Sequence, residues 1–242
     1  MSPLFLTLLA LLPVLADSED DSQPEAAAAE QAPVPQVSNG LGSKQNFWRI
    51  DLGLRGAGVG DRNYAPYADN DAMLQGSLAA SRTLWSHSRL SLAAGVLWDA
   101  SSQQQATRGS QVSLVAQRFS ATLEGRLHAL PWLYVFARGA PGALWAQSTL
   151  SDQSSFAAMS GEKWGATFDA SGGVSVLLLP QRASAKARWW LTFEAGYGWT
   201  QSLALTLKPQ ASAADSANVA AIRMPALSLN GPLYRITTGV SF

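Results

Sequence analysis

The sequence predicts an all-β chain, a closed, antiparallel, up-and-down transmembrane β-barrel of eight strands. Three observations carry that reading. From Phe47 onward, apolar and polar residues alternate in segments of strand length. The connections between those segments are alternately long and short, and the tryptophans gather near the segment ends. A barrel strand crosses a bilayer in about 9–11 residues and hides its hydrophobicity in alternation. A chain without a long apolar helix can therefore still span a membrane.

The eight segments are 48–59, 72–85, 88–99, 112–128, 132–146, 163–179, 187–200 and 228–242. Short turns follow the second, fourth and sixth, at Ser86-His87, His128 to Pro131 and Pro180 to Lys186. Longer polar loops follow the first, third, fifth and seventh, near 60–71, 100–111, 147–162 and 201–227. Short turns at one end and long loops at the other is the layout of outer-membrane barrels, and an even strand count puts both termini at the short-turn end. In the first segment Trp48, Ile50, Leu52 and Leu54 alternate with Arg49, Asp51, Gly53 and Arg55. In the seventh, Trp189, Leu191, Phe193, Ala195, Tyr197 and Trp199 alternate with Trp190, Thr192, Glu194, Gly196 and Gly198. At a rise of ~3.3 Å and a tilt of ~40°, the ten-residue step from Trp189 to Trp199 climbs roughly 25 Å, the height of the apolar band.

All nine tryptophans sit near proposed strand ends and none in mid-strand. Trp48, Trp98, Trp145, Trp164, Trp189 and Trp199 are the expected aromatic girdle, because indole favours the headgroup level, half buried with its N–H wet. Three places fit less simply. The fifth segment is apolar on both faces (Trp132, Tyr134 and Phe136 against Leu133, Val135 and Ala137), which leaves its register open. Within it, Pro141-Gly142 predicts a bulge, since Pro cannot donate to the ladder. Arg82 has lipid-facing parity but lies near the turn end, where its long stem can snorkel to water.

The polar faces carry Arg49, Asp51, Arg55, Arg118, Glu124, Arg126, Arg138, Asp169, Glu194 and Arg235. Charges of both signs inside a narrow barrel pair across strands. Counting from the turn end places Glu194 level with Arg235, and Arg138 near Glu124 or Asp169. Two readings follow: a salt-bridged plug, or a selectivity constriction in a pore with weak anion preference. Eight strands leave little lumen, which favours the plug.

The two ends differ from this pattern. Residues 1–16 carry an uncharged apolar run from Pro3 to Leu15 and then Val14-Leu15-Ala16, a small-residue cleavage site, and read as a secretory signal peptide. Residues 17–46 are rich in Ala and Pro; six acidic residues and no Lys or Arg fall within 17–43. They read as a disordered acidic tether ahead of a barrel over 47–242. The formal net charge of zero thus hides seventeen basic residues from Lys44 onward. At the other end, Tyr234, Ile236, Thr238, Val240 and Phe242 form one face of a last strand that stops on an aromatic residue.

That ending resembles the C-terminal assembly signal of bacterial outer-membrane barrels: polar, any, Gly, any, any, hydrophobic, any, aromatic. It falls here on Arg235, Thr237, Val240 and Phe242, with Thr237 in place of Gly. Together with the strand pattern, residues 48–242 resemble the OmpA/OmpX-like group of small outer-membrane barrels. The resemblance implies a place in the outer membrane with the tether in the periplasm, insertion by the outer-membrane assembly machinery, and contact with lipid and lipopolysaccharide. No function-specific motif accompanies it. A structural or surface-interaction role through the long loops is expected first, and a narrow pore second.

Catalysis has little support. Small barrels include lipid A deacylases and proteases, but His87 and His128 both fall at predicted turns, without a serine and carboxylate at a suggestive spacing. No cysteine is present, and nothing implies a cofactor, a metal or a nucleic-acid partner. In the last loop Leu203, Leu205 and Leu207 continue the parity of Trp199. They predict a ribbon protruding beyond the membrane, whose edge could take a protein partner at 201–227 or pack on its own return strand.

Overall fold

The protein's structure, a computed structural model, describes residues 48–107, 109–152, 158–178, 187–209 and 221–242. The expected signal peptide, tether, Phe47 and the turn at 180–186 lie outside them. Among the described residues no helix is long and apolar enough to cross a membrane.

Strands occupy Trp48–Gly58 (β1), Ala72–His87 (β2), Leu90–Thr107 (β3), Ser110–Leu130 (β4), Leu133–Asp152 (β5), Ala158–Leu177 (β6), Arg188–Thr200 (β7), Thr206–Pro209 (β8), Ile222–Arg223 (β9) and Gly231–Ser241 (β10). Strands β1 to β7 and β10 are the eight expected. Each pairs antiparallel with its neighbours, β10 pairs β1 and β7, and β5 pairs β6, so the ladder closes into a ring. Closure leaves no strand edge unpaired in the bilayer, where an unsatisfied N–H or C=O costs several kcal/mol. The seam is completed by the last residue: Phe242 N–H donates to the Trp48 carbonyl at 3.0 Å, and Trp48 N–H donates back at 3.1 Å.

Because the side-chain period is two, the alternation sets which face is wet. Ile50, Leu52, Leu54, Phe193, Ile236 and Phe242 are exposed on the outside, while Arg49, Asp51, Arg55, Glu194 and Arg235 are buried within. The ambiguous β5 register resolves the same way: Tyr134 and Phe136 point inward and Val135 outward. An outward Tyr134 would force Arg138, of the same parity, into lipid. The expected bulge at Pro141-Gly142 is absent, and the β5–β6 register runs unbroken through Pro141↔Phe168. Pro141 shows no pairing with β4, whose ladder resumes in the same register on either side. The irregularities fall instead at the turn end, between Thr83 and Trp85 and between His128 and Leu130.

Two expected loops are largely strand. Strands β3 to β6 run to residues 107, 110, 152 and 158, well past the apolar band, so the described residues of 100–111 and 147–162 are mostly strand rather than polar loop. Polar alternation beyond the bilayer still satisfies a ladder, which is why polarity alone misplaced these ends. Strands β1, β7 and β10 stop lower, at Gly58, Thr200 and Gly231. The result is a wall high on one side and low on the other.

The last long connection folds over this step. Leu203, Leu205 and Leu207 are buried, not displayed on a protruding ribbon. The chain leaves β7 at Thr200, anchors Gln201 N–H on the Ala166 carbonyl, and turns the leucine row inward through Leu203↔Leu227. Past Trp199 an outward leucine row would stand in water. Turning it inward removes it from solvent at about 2 kcal/mol per side chain. Gly165 makes room, since a Cβ there would lie 2.5 Å from Leu203 Cδ2. Residues 210–220 of this connection lie outside the described residues.

Candidate functional site

The ring interior is arranged in three layers. At the turn end, Tyr134, Phe136 and Trp190 pack together with Leu177 as an aromatic stopper. Trp190 donates its indole N–H to Ser241 Oγ at 2.9 Å. Arg49 lies 5.9 Å from the Tyr134 ring and 5.8 Å from the Trp190 ring, while Arg126 and Arg138 stack on Tyr134 and Phe136. Arg49 also pairs with Asp51 at 2.6 Å and donates to Thr192 at 2.7 Å and to the Tyr134 hydroxyl.

Above the stopper runs one unbroken chain of ion pairs. Arg126 meets Glu124, which meets Arg138; Arg138 reaches Glu194 at 2.7 Å and Glu194 holds Arg235 at 2.8 Å. Arg235 pairs with Asp99 at 3.0 Å, Asp99 lies 3.8 Å from Arg55, and Arg55 lies 3.4 Å from Asp169. Asp169 ends the chain on Arg118. With Gln75, which accepts from Arg55, the chain touches every strand of the ring.

Sequence parity placed ten charged residues in the lumen, and all ten lie on the inner face. Glu194 and Arg235 are register partners. Arg138 meets Glu124 and Glu194 but not Asp169, which two other arginines occupy. Asp99 escaped the sequence reading because its segment ended on it. With β3 running to Thr107, Asp99 becomes an inward, fully buried residue between Trp98 and Ala100. Its parity, opposite to that of Trp98, was the available signal.

The third layer caps the mouth. Val59, Tyr64, Tyr67 and Met73 meet Leu114, Ala116, Leu144 and Ala146 of the tall wall, and Leu203, Leu227 and Leu229 close over them. Two polar latches join the loops: Asp61 accepts from Ser228 N–H at 2.7 Å, and the Asn63 amide donates to the Ala226 carbonyl at 2.8 Å. The buried Tyr64 hydroxyl has no hydrogen-bond partner among the described residues, and burial pushes its phenol up to about 12. The neutral phenol is thus favoured by folding. Its contribution is complete below the ordinary tyrosine value near 10 and is lost as pH rises toward 12. We expect the cap of the natural chain to loosen between pH 10 and 12, and a Tyr64→Phe variant to lose that part of the pH dependence, measured by protease nicking of the cap.

The tryptophans divide. Trp48 and Trp189 lie at the turn end, and Trp98, Trp164 and Trp199 are exposed on the outside toward the cap end. Phe119–Trp164 and Phe168–Trp199 ring contacts at 6.3 and 5.8 Å continue that upper belt. Trp145 is half-buried, with its indole N–H 3.3 Å from Glu162. Because β3, β5 and β6 run on, Trp98, Trp145 and Trp164 are interior to their strands, contrary to the expected placement at strand ends. Trp190 belongs to the lumen. Arg82, outward, lies 5.7 Å from the Trp48 ring. In the assembly signature, Arg235 faces inward, and Val240 and Phe242 face out.

His128 is not an exposed turn residue. It is half-buried, 3.0 Å from Ser91 Oγ and 5.3 Å from the Tyr134 ring. Ser91 is itself buried, and among the described residues no carboxylate bonds the other ring nitrogen, so the pair lacks the access and orientation a nucleophile needs. His87 is exposed and stacked on Trp85.

No family model matches the sequence, and no curated protein matches it by sequence. Among solved structures, a major outer membrane protein of Thermus thermophilus superposes with a TM-score of 0.50 at 12% identity, covering 81% of this chain and 99% of that one. This chain has the fold of an outer-membrane β-barrel. The attachment invasion locus protein Ail of Yersinia pestis matches at 10% identity and TM-score 0.43, covering 82% of this chain and 99% of its own. The outer membrane protease OmpT of Escherichia coli matches at 7% and 0.46, covering 82% and 98%. These two are looser, and the fold assignment rests on the first. At such identities the likeness is one of fold and carries no activity with it.

Proposed function

We propose that the chain is a closed outer-membrane barrel with a structural or surface-interaction role, presented to the outside by its folded cap. The observation that supports this most directly is the ion-pair chain touching all eight strands, between an aromatic stopper and an apolar cap. An eight-strand interior is just wide enough for side chains to fill, and here its charged groups are paired with one another. On this reading the turn end faces the periplasm, where the tether belongs. The upper aromatic belt meets the lipopolysaccharide leaflet, and the strand ending at Phe242 is the one the assembly machinery engages. A protein partner would meet the outer surface of the cap around 201–227, because the leucine edge is turned inward.

Planar-bilayer conductance tests the proposal, on refolded protein whose gel mobility shifts on boiling. A silent bilayer is the expected result. Steady currents that change when Glu194 or Arg235 is replaced would overturn it in favour of an ion-selective pore.

A further inference from the structure

The ion-pair chain does not balance. It holds five arginines (Arg126, Arg138, Arg235, Arg55 and Arg118) against four carboxylates (Glu124, Glu194, Asp99 and Asp169), while Arg49 and Asp51 neutralise each other apart from it. Among the described residues of the chain, one positive charge is left over between the aromatic stopper and the cap. An uncompensated charge out of water is costly, so something must answer it.

The unsatisfied atoms show where. Arg49, Arg126 and Arg138 each donate through Nε to a carboxylate. Arg55, Arg118 and Arg235 do not: all three Nε atoms are buried without a hydrogen-bond partner. These three guanidiniums crowd onto Asp99 and Asp169, with Glu194 reaching Arg235 while also holding Arg138. Arg55 and Arg118 both approach Asp169, and Arg55 and Arg235 both approach Asp99. Beside them the hydroxyls of Ser77, Ser101 and Ser120 are also buried and unpartnered. Ser77 is in register with Asp99, and Asp99 with Arg118, while on the same inner face Ser101 lies two residues toward the cap and Ser120 two residues toward the turn end. Gly198 lets the cluster reach the opposite wall, since a Cβ there would lie 2.8 Å from Asp169 Oδ1 and 3.1 Å from Arg55 Nη2. One unpartnered acceptor, Asp99 Oδ1, stands among these groups. It is offset by the hydroxyls, which donate as readily as they accept.

We propose that the upper lumen binds one small monovalent inorganic anion, of halide size, among Arg55, Arg118 and Arg235, with the hydroxyl of Ser77, level with Asp99 and Arg118, available to its shell. The single surplus charge sets the valence. The little room that side chains leave inside an eight-strand ring sets the size. Water alone would satisfy the N–H and O–H groups but leave the charge unanswered.

The first test is diffraction at the bromine edge from crystals of the refolded barrel grown in sodium bromide. An anomalous peak within hydrogen-bond reach of the three arginines is expected. Water at that position, or bromide only on the outer surface, would overturn the proposal. The second test follows urea unfolding in lipid vesicles at constant ionic strength, with chloride exchanged for the bulky anion gluconate. Above its dissociation constant, each tenfold rise in chloride should raise the folding equilibrium constant up to tenfold. Arg118→Gln, which removes the surplus charge, should abolish that dependence. Ser101→Asp, which supplies a fixed counter-charge and breaks no existing pair, should abolish it too and keeps the test open if Arg118→Gln does not fold. Stability indifferent to the anion in the natural chain, or a dependence that survives Ser101→Asp, would sink the assignment.

Discussion

Replacing Glu194 by glutamine should lower the unfolding free energy of the barrel by about 3–5 kcal/mol, the usual loss when one member of a buried ion pair is removed. The carboxylate holds Arg138 at 2.7 Å, Arg235 at 2.8 Å and the Ser171 hydroxyl at 2.6 Å. Among the described residues it is also the only link between the lower part of the charge chain (Arg126, Glu124, Arg138) and the upper part (Arg235 onward). The neutral amide leaves two guanidiniums facing across it with one carboxylate fewer. Urea unfolding in lipid vesicles measures the loss. A second substitution, Arg138→Met, removes one of the stranded cations and should recover a good part of it, since a buried pair can often be exchanged for apolar groups at little cost. A loss below about 1 kcal/mol would be the size expected of solvent-exposed pairs. It would mean the lumen is wet enough to screen its charges, and the closed-barrel proposal would fail with it.

Leu227→Asp should act on the cap and spare the ring. Leu227 is buried against Leu203, and the two exchange backbone hydrogen bonds at 2.8 and 2.9 Å. Losing the apolar contact and gaining a carboxylate there costs about 3 kcal/mol, roughly a hundredfold in the open fraction of the cap. Limited proteolysis of the cap should accelerate accordingly. Heat-modifiable gel mobility should remain, because no ion pair of the lumen chain involves a cap residue. Loss of the gel shift would show that the cap and ring fold as one unit. Unchanged proteolysis would show that the leucine row does not hold the cap down.

The sequence reading was strongest where the bilayer imposes a two-sided environment. In β1, β7 and β10 every second residue must suit lipid and every other one the interior, so parity alone sorts Ile50 from Arg49, Phe193 from Glu194 and Ile236 from Arg235. Strand ends were legible only where a turn interrupts the ladder. Beyond the membrane both faces of β3 to β6 tolerate polar residues, which is why 100–111 and 147–162 resembled loops. The same loss of contrast hid Asp99, at the border of its segment.

Parity also misled where the chain leaves the sheet. Leu203 carries the parity of Trp199, yet two residues without ladder pairing let it turn through the mouth and bury itself. By itself, the sequence determined the strand count, the ring topology and the assignment of faces, because lipid and lumen act on each residue through its immediate position in the pleat. The tertiary structure decided which charges meet, that they join into one chain with an arginine to spare, and that the leucine row after β7 turns over the mouth. Those outcomes depend on relative heights around a closed ring and on distances between residues as far apart in the chain as Asp99 and Arg235. No local pattern encodes them.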